Sequence, residues 1–178
     1  MICGITQPSY LPWRGFFDLL SRCEVFVWFD DVQYTRRSWR NRNRIKDSSA
    51  VRWLSVPVHA HGHQEGLAIR DVRIDEATDW RRSHRESLHQ AYRTAPHYGD
   101  CAPLLDELYA DRFELLADFT IHTTTLLAQR LGIEGIRFVR SSELSVSGSG
   151  TERVVAIMQA VGAEHLVNGP TAKAYTDH

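Results

Sequence analysis

The sequence predicts an α/β fold: an open, mostly parallel sheet with helices on both faces and a small antiparallel excursion around residues 51–74. Three observations carry this reading. Residues 2–6 and 24–29 are short, continuous apolar runs, as expected of parallel strands buried on both faces. A proline-bearing loop and a helix-period segment lie between them. Strand-like and helix-like segments then keep alternating through residue 167.

Taken in order, ICGIT (residues 2–6) is the first strand. It breaks at Gln7-Pro8, reinforced by Pro12, because proline has no N–H for a ladder and clashes inside a helix. From Arg14 a helix starts, with Phe16, Phe17, Leu19 and Leu20 on one face through Arg22. Residues 24–29 form the second strand. Strand, loop, helix, strand is a βαβ unit, the building block of Rossmann-like sheets, and a nucleotidylyl-transferase-like topology is compatible with it. In such sheets ligands bind beyond the carboxyl ends of the strands. The loop 7–13 and the segment beginning at Asp30 both leave the sheet at such ends.

Residues 51–58 read as a strand that Pro57 places at an edge or at its own end. Residues 68–74 alternate as a further strand, and the two pair around the loop 59–66. An amphipathic helix is predicted over 77–93, with Trp80, His84 and Leu88 near helical spacing. Tyr98-Gly99 and Pro103 mark a break. Helices follow at 104–109 and 113–131, the second closed by Gly132. A strand at 136–139, a Ser- and Gly-rich loop at 141–150, a helix at 151–161 capped by Thr151, and a strand at 165–167 complete the order. No repeat or linker divides the chain, so one α/β domain over residues 1–178 is expected.

With 178 residues, 43% hydrophobic and 24% charged, the chain buries about 70% of its unfolded surface on folding. A net charge of −1 gives no global field to draw nucleic acid or membrane, so steering has to be local. Cys3, Cys23 and Cys101 are odd in number and far apart. That argues against a disulfide framework and a thiolate zinc site. Without a signal peptide or an apolar span, the expected compartment is the cytoplasm, with no membrane partner.

The densest chemistry is DDVQYTRRSWRNRNRIK, residues 30–46. Asp30 and Asp31 follow the second strand directly. Arg36, Arg37, Arg40, Arg42, Arg44 and Lys46 are then interleaved with Gln33, Tyr34, Trp39, Asn41 and Asn43. Guanidinium forks, amides and an aromatic suit the rim of a site for an anionic ligand. A solvated basic hairpin is the plainer reading. Asp30 and Asp31 are candidates for holding Mg²⁺ beside a phosphate. Alternatively, one caps the next turn and the other pairs with Arg36 or Arg37.

Other candidates are fewer. His59, His61 and His63 alternate like a ligand set, but Gly62 and the lack of a nearby acid other than Glu65 favour a solvent-facing loop, and no metal is assigned. Residues 147–153 offer free backbone N–H groups at a helix start, an anion-binding arrangement without a Walker lysine. His84 and His89 share a helix, and His84 is the candidate general base. Cys3 packs as a small hydrophobe.

The stretches QPSYLPWRGFFD (7–18), residues 30–46, WLSVPV (53–58), WRRSHRESLHQAYRTAPHY (80–98), ELYADRFELLADF (107–119), TERV (151–154) and NGPTAKAY (168–175) together resemble the WbqC-like family. The resemblance covers most of the chain in order. It implies a product of bacterial surface-polysaccharide or natural-product pathways, similar to enzymes that attach an amino acid such as glycine to an amino sugar. It also draws attention to Thr151, Glu152, Arg153, Lys173 and Tyr175. Two departures stand out: Thr6 replaces a histidine often found before Gln-Pro, and the family usually continues beyond the segment that ends here at His178. The last implies that part of a site would lie further on.

Trp13-Arg14-Gly15-Phe16 stands where nucleotidylyl transferases place H-x-G-H, with aromatics for both histidines, so that likeness is one of fold alone. The leading expectation is an acyl or aminoacyl transferase acting on an amine of a nucleotide-linked sugar or related metabolite. Gln7, Tyr10, Trp13, Arg37, Trp39, Asn41, Arg42 and Asn43 line its pocket. Trp39 stacks a base or sugar face, and Arg37 and Arg42 hold diphosphate. An ATP-dependent adenylating ligase, using Mg²⁺ with its nucleotide, is the second reading. An RNA-binding module is the third, disfavoured by the neutral overall charge. The oligomeric state is open, a homodimer included.

Overall fold

The computed structural model describes residues 1–47, 50–59 and 66–169. In chain order the elements are β1 (Ile2–Thr6), α1 (Arg14–Leu20), β2 (Val25–Trp28), β3 (Arg42–Lys46), β4 (Val51–Ser55), a 3-10 turn at Ile69–Asp71, α2 (Trp80–Tyr92), α3 (Tyr98–Leu108), α4 (Leu116–Arg130), β5 (Arg137–Arg140), a second 3-10 turn at Ser141–Glu143, α5 (Gly150–Val161) and β6 (His165–Val167).

The four strands of the main sheet are parallel and lie in the order β5-β2-β1-β6. The chain therefore steps outward from β1 to β2 to β5, then returns past β1 to lay down β6. This is a Rossmann-like order, and its reversal falls between β1 and β6. Gln7 and Asn168 leave the sheet at that point.

Alternation along β2 sorts the layers. Phe26 and Trp28 face α1 and α4, packing with Phe16, Leu20 and Ala128. Val25 and Val27 face α5, packing with Cys3, Ile157 and Val161. Gly4 lies on the α1 side, where a Cβ would sit 2.8 Å from both Cys23 Sγ and Phe26 Cδ2. Glycine is what lets the helix approach β1.

A third apolar cluster sits beneath the antiparallel pair β3–β4, in which Arg44 lies opposite Trp53. Ile45 and Leu54 point inward there to Val56, Val72, Trp80 and Leu88. Helix α4 joins both regions. Leu116, Ala117 and Phe119 belong to this cluster, and Ala128 to the one against the main sheet.

The antiparallel excursion differs from expectation. Residues 51–55 pair with 42–46 rather than with 68–74, so the basic segment ends as one strand of a hairpin. Residues 68–74 hold a 3-10 turn at Ile69–Asp71. Only isolated bridges form there (Gln33 with Ala68, Val58 with Ile74, Arg73 with Leu115) because each backbone partner belongs to a different segment. Pro103 lies inside α3, whose start at Tyr98 replaces the expected break. Gly132, at φ 73°, closes α4 as predicted. At α5 the cap position falls to Ser149, and Thr151 is inside the helix. Among the described residues no helix is long and apolar enough to cross a membrane.

Candidate functional site

The proline-bearing loop after β1 and the arginine-bearing segment after β2 meet. The Tyr10 N–H donates to the Trp39 carbonyl at 3.1 Å. Arg40 Nη1 donates to Gln7 Oε1 at 2.8 Å and to the Gln7 carbonyl at 3.3 Å. Asn43 Nδ2 donates to the carbonyls of Leu11 (2.6 Å) and Tyr10 (3.4 Å). Each segment also holds a non-glycine residue in the left-handed region, Leu11 at φ 44° and Arg37 at φ 53°. Such conformations cost on the order of 1–3 kcal/mol and persist where surrounding bonds fix them. For Leu11, the Asn43 side chain supplies that bond.

Among the described residues, Arg36, Arg37, Arg40, Arg42 and Arg44 form no ion pair with a carboxylate. Arg40 is largely buried, which lowers its pKa to about 10. Arg42 stacks on Trp53, its Cζ 4.1 Å from the ring centroid. Arg36, Arg37 and Arg42 line a cavity of about 350 Å³ together with Tyr34, Asn41 and Val56. Asn41 Nδ2 is spent on the Val56 carbonyl at 3.0 Å, and Asn41 Oδ1 is buried without a partner. Arg42 Nε is likewise buried and unpartnered. A cavity walled by unneutralised guanidiniums, with polar atoms left unsatisfied, favours an anionic occupant.

The acid pair is built differently. Asp30 is fully buried at the end of β2. Its carboxylate accepts from Arg140 Nε (2.6 Å), the Ser142 N–H (3.0 Å) and Ser142 Oγ (2.9 Å), with Ser141 Oγ 3.2 Å away. Asp31 accepts from Ser141 Oγ at 2.6 Å and pairs with Arg153. The cations thus come from β5 and α5, not from Arg36 or Arg37, the partners that the alternative reading offered. The reason is topological: β2 and β5 run side by side, so their carboxyl ends meet. Arg140 also reaches Asp118 on α4 at 2.6 Å. With its acceptor sites taken, Asp30 fastens the sheet edge and presents no free oxygen to a ligand.

His84 lies beside the arginine cavity. A neighbouring cavity of about 280 Å³ is lined by Ser55, Pro57, Thr78, Asp79, Trp80, Ser83 and His84, and it shares Ser55 and Pro57 with the first. His84 Nδ1 is 2.8 Å from the Tyr10 hydroxyl, which in turn meets the Tyr109 hydroxyl. Burial lowers the His84 pKa to about 4, against an opposing backbone bond with Ser55. The ring is therefore neutral at physiological pH, the form from which a base starts. Burial drives Tyr10 well above the usual phenol range and Tyr109 up to about 12.

The structure brings Tyr10 to His84, groups Arg37, Asn41 and Arg42 around one cavity, and sets Asp31 against Arg153. Gln7, Trp39 and Asn43 join the two segments without lining that cavity, and the remaining candidates are not gathered. Gln33 is exposed, and Trp13 lies over Gly15 with 66% of its surface in solvent. Thr151 and Glu152 stand on the first turn of α5, away from these bonds. His59 Nε2 is 3.9 Å from Asp75, and among the described residues no group of acids, histidines or cysteines is arranged for a metal ion. His61, His63, Lys173 and Tyr175 fall outside the described residues. Sequence reasoning missed Trp53, Tyr109 and Arg140. Only Trp53 carried a local signal, an aromatic on the outward side of an alternating strand. The other two join the site through contacts of 99 and 110 residues' separation.

A sequence model of the WbqC-like protein family matches residues 7–178. The uncharacterized protein Rv1507c of Mycobacterium tuberculosis (strain ATCC 25618 / H37Rv) is 37% identical, over 98% of this chain and 74% of its own length. No solved structure matches significantly.

Proposed function

The chain belongs to the WbqC-like protein family, and from that membership and the geometry of the rim we propose that it is a biosynthetic acyl or aminoacyl transferase. Its acceptor is an amino group on an anionic, nucleotide-linked sugar or related metabolite. One observation carries the reading: Arg36, Arg37 and Arg42, without carboxylate partners among the described residues, surround a cavity that adjoins the one containing His84.

The guanidiniums hold the acceptor's phosphates, and the amine reaches past Ser55 towards His84. The amine nitrogen attacks the carbonyl carbon of an activated donor, forming a C–N bond. The bond from that carbon to the donor's sulfur or oxygen breaks. The amine proton passes to neutral His84 and then to the departing group. A bound anion next door favours the imidazolium and so raises the basicity of a ring that burial otherwise keeps weak.

The test is to incubate the protein with nucleotide-linked amino sugars and thioester or aminoacyl-ester donors, and to look for the amide by mass spectrometry. Amide formation that needs Arg42 and His84 supports the transferase. The strand order also suits an ATP-dependent ligase. AMP released from ATP, Mg²⁺ and an amino acid would select that reading instead.

A further inference from the structure

The outer face of the β3–β4 hairpin carries features that a small-molecule cavity does not need. Arg42, Arg44 and Lys46 alternate along β3, so their side chains share one face over about 14 Å of strand. Arg44 and Lys46 are exposed and have no carboxylate partner among the described residues. Trp53 faces the same way from β4, directly opposite Arg44, and leaves 46% of its surface in water. Trp39 is 45% exposed, with its ring centroid 5.4 Å from that of Trp53. Arg44 Cζ lies 5.5 Å from both rings. Exposed tryptophans bring apolar surface into water for no gain in the core.

We infer that this face is a binding strip for a single-stranded nucleic-acid segment. Its cations track a phosphate backbone, and its indoles supply stacking surfaces that accept any base. A mononucleotide would use one end of such a row and leave the rest idle. An acidic peptide would match the charges but not the rings. The net charge of −1, which counts against an RNA-binding module when only the sequence is read, is outweighed here, because at physiological salt charges more than about 8 Å away are screened and the local row dominates. Arg42 belongs to both sites, but Arg44, Lys46, Trp39 and Trp53 line neither cavity, so changes at those four test the strip separately from the transferase reading.

The test is titration of the intact protein with an oligouridylate octamer, followed by tryptophan fluorescence at 50 mM and 200 mM salt. Expected are saturable quenching and an affinity that falls with salt at a logarithmic slope of about −2, as three neutralised phosphates require. Trp53→Ala and Trp39→Ala each weaken binding about tenfold. Should either fail to fold, the exposed pair Arg44→Glu with Lys46→Glu, read by filter binding, is expected to abolish binding while leaving amide formation from small substrates intact. Absence of saturable binding at 50 mM salt would overturn the inference. So would full affinity in the tryptophan or charge-reversal variants, or UMP or inorganic polyphosphate binding as tightly as the octamer.

Discussion

The Tyr10 hydroxyl lies 2.8 Å from Nδ1 of His84, joining residues 74 positions apart and tying the loop after β1 to helix α2. Tyr10 is fully buried and His84 nearly so. Removing the hydroxyl leaves a ring nitrogen without its partner and the Tyr109 hydroxyl without its own. Tyr10→Phe is therefore expected to destabilise the fold by about 1–3 kcal/mol, as measured by urea unfolding.

His84 also sets a pH dependence. Its pKa falls from 6.5 to about 4 on folding, so the unfolded chain binds the extra proton in that interval. Stability from this group is present above pH 6.5 and is lost as pH drops towards 4, by about 3 kcal/mol in all. A His84→Gln variant should show a flatter stability profile across that window. An unchanged slope would place the titrating group elsewhere.

Asp30 is the buried anion on which Arg140, Ser141 and Ser142 converge. Asp30→Asn leaves the Arg140 guanidinium short of one of its two carboxylates. Breaking a buried pair of this kind costs about 3–5 kcal/mol, visible as an early denaturant midpoint. Wild-type stability together with lost metal-dependent activity would instead restore Asp30 to the catalytic role expected from sequence.

Arg42→Ala separates binding from folding. The side chain stacks on half-exposed Trp53 and makes no ion pair among the described residues, so thermal unfolding should shift little. Binding of a nucleoside diphosphate, followed by calorimetry, should fall at least about tenfold, as for loss of a charge-assisted contact. A large drop in stability would make Arg42 a structural residue.

At Gly4 the expectation is steric. A Cβ there would sit 2.8 Å from Cys23 Sγ and from Phe26 Cδ2, and both neighbours are buried. Gly4→Ala should cost about 1–3 kcal/mol through overpacking. Pairing it with Cys23→Ser or Cys23→Ala tests whether relief at one contact recovers part of the loss.

The parallel sheet was legible because its signal is local: VFVW is buried along its whole length, as a central strand must be. The meeting of the two loops at one edge followed from the βαβ order and holds in the bonds between Gln7 and Arg40 and between Leu11 and Asn43. The hairpin partner was misread because residues 68–74 alternate like a strand, although their backbone bonds are divided among three segments. The fate of Asp30 and Asp31 was hidden for another reason. Arg140 and Arg153 are more than a hundred positions away, and only strand order brings them near.

Helix α4 places Phe119 in the cluster beneath the hairpin and Ala128, two and a half turns later, against the main sheet. A rigid rod with sides in both, Leu127 still against the first and Ile121 already against the second, cannot leave one without dragging on the other. Amide protons along its middle, near Thr123 and Thr124, should then exchange among the slowest in the protein, reporting global rather than partial opening. Ligand captured at the hairpin would in that case slow exchange in the distant sheet as well, with no bond between the two.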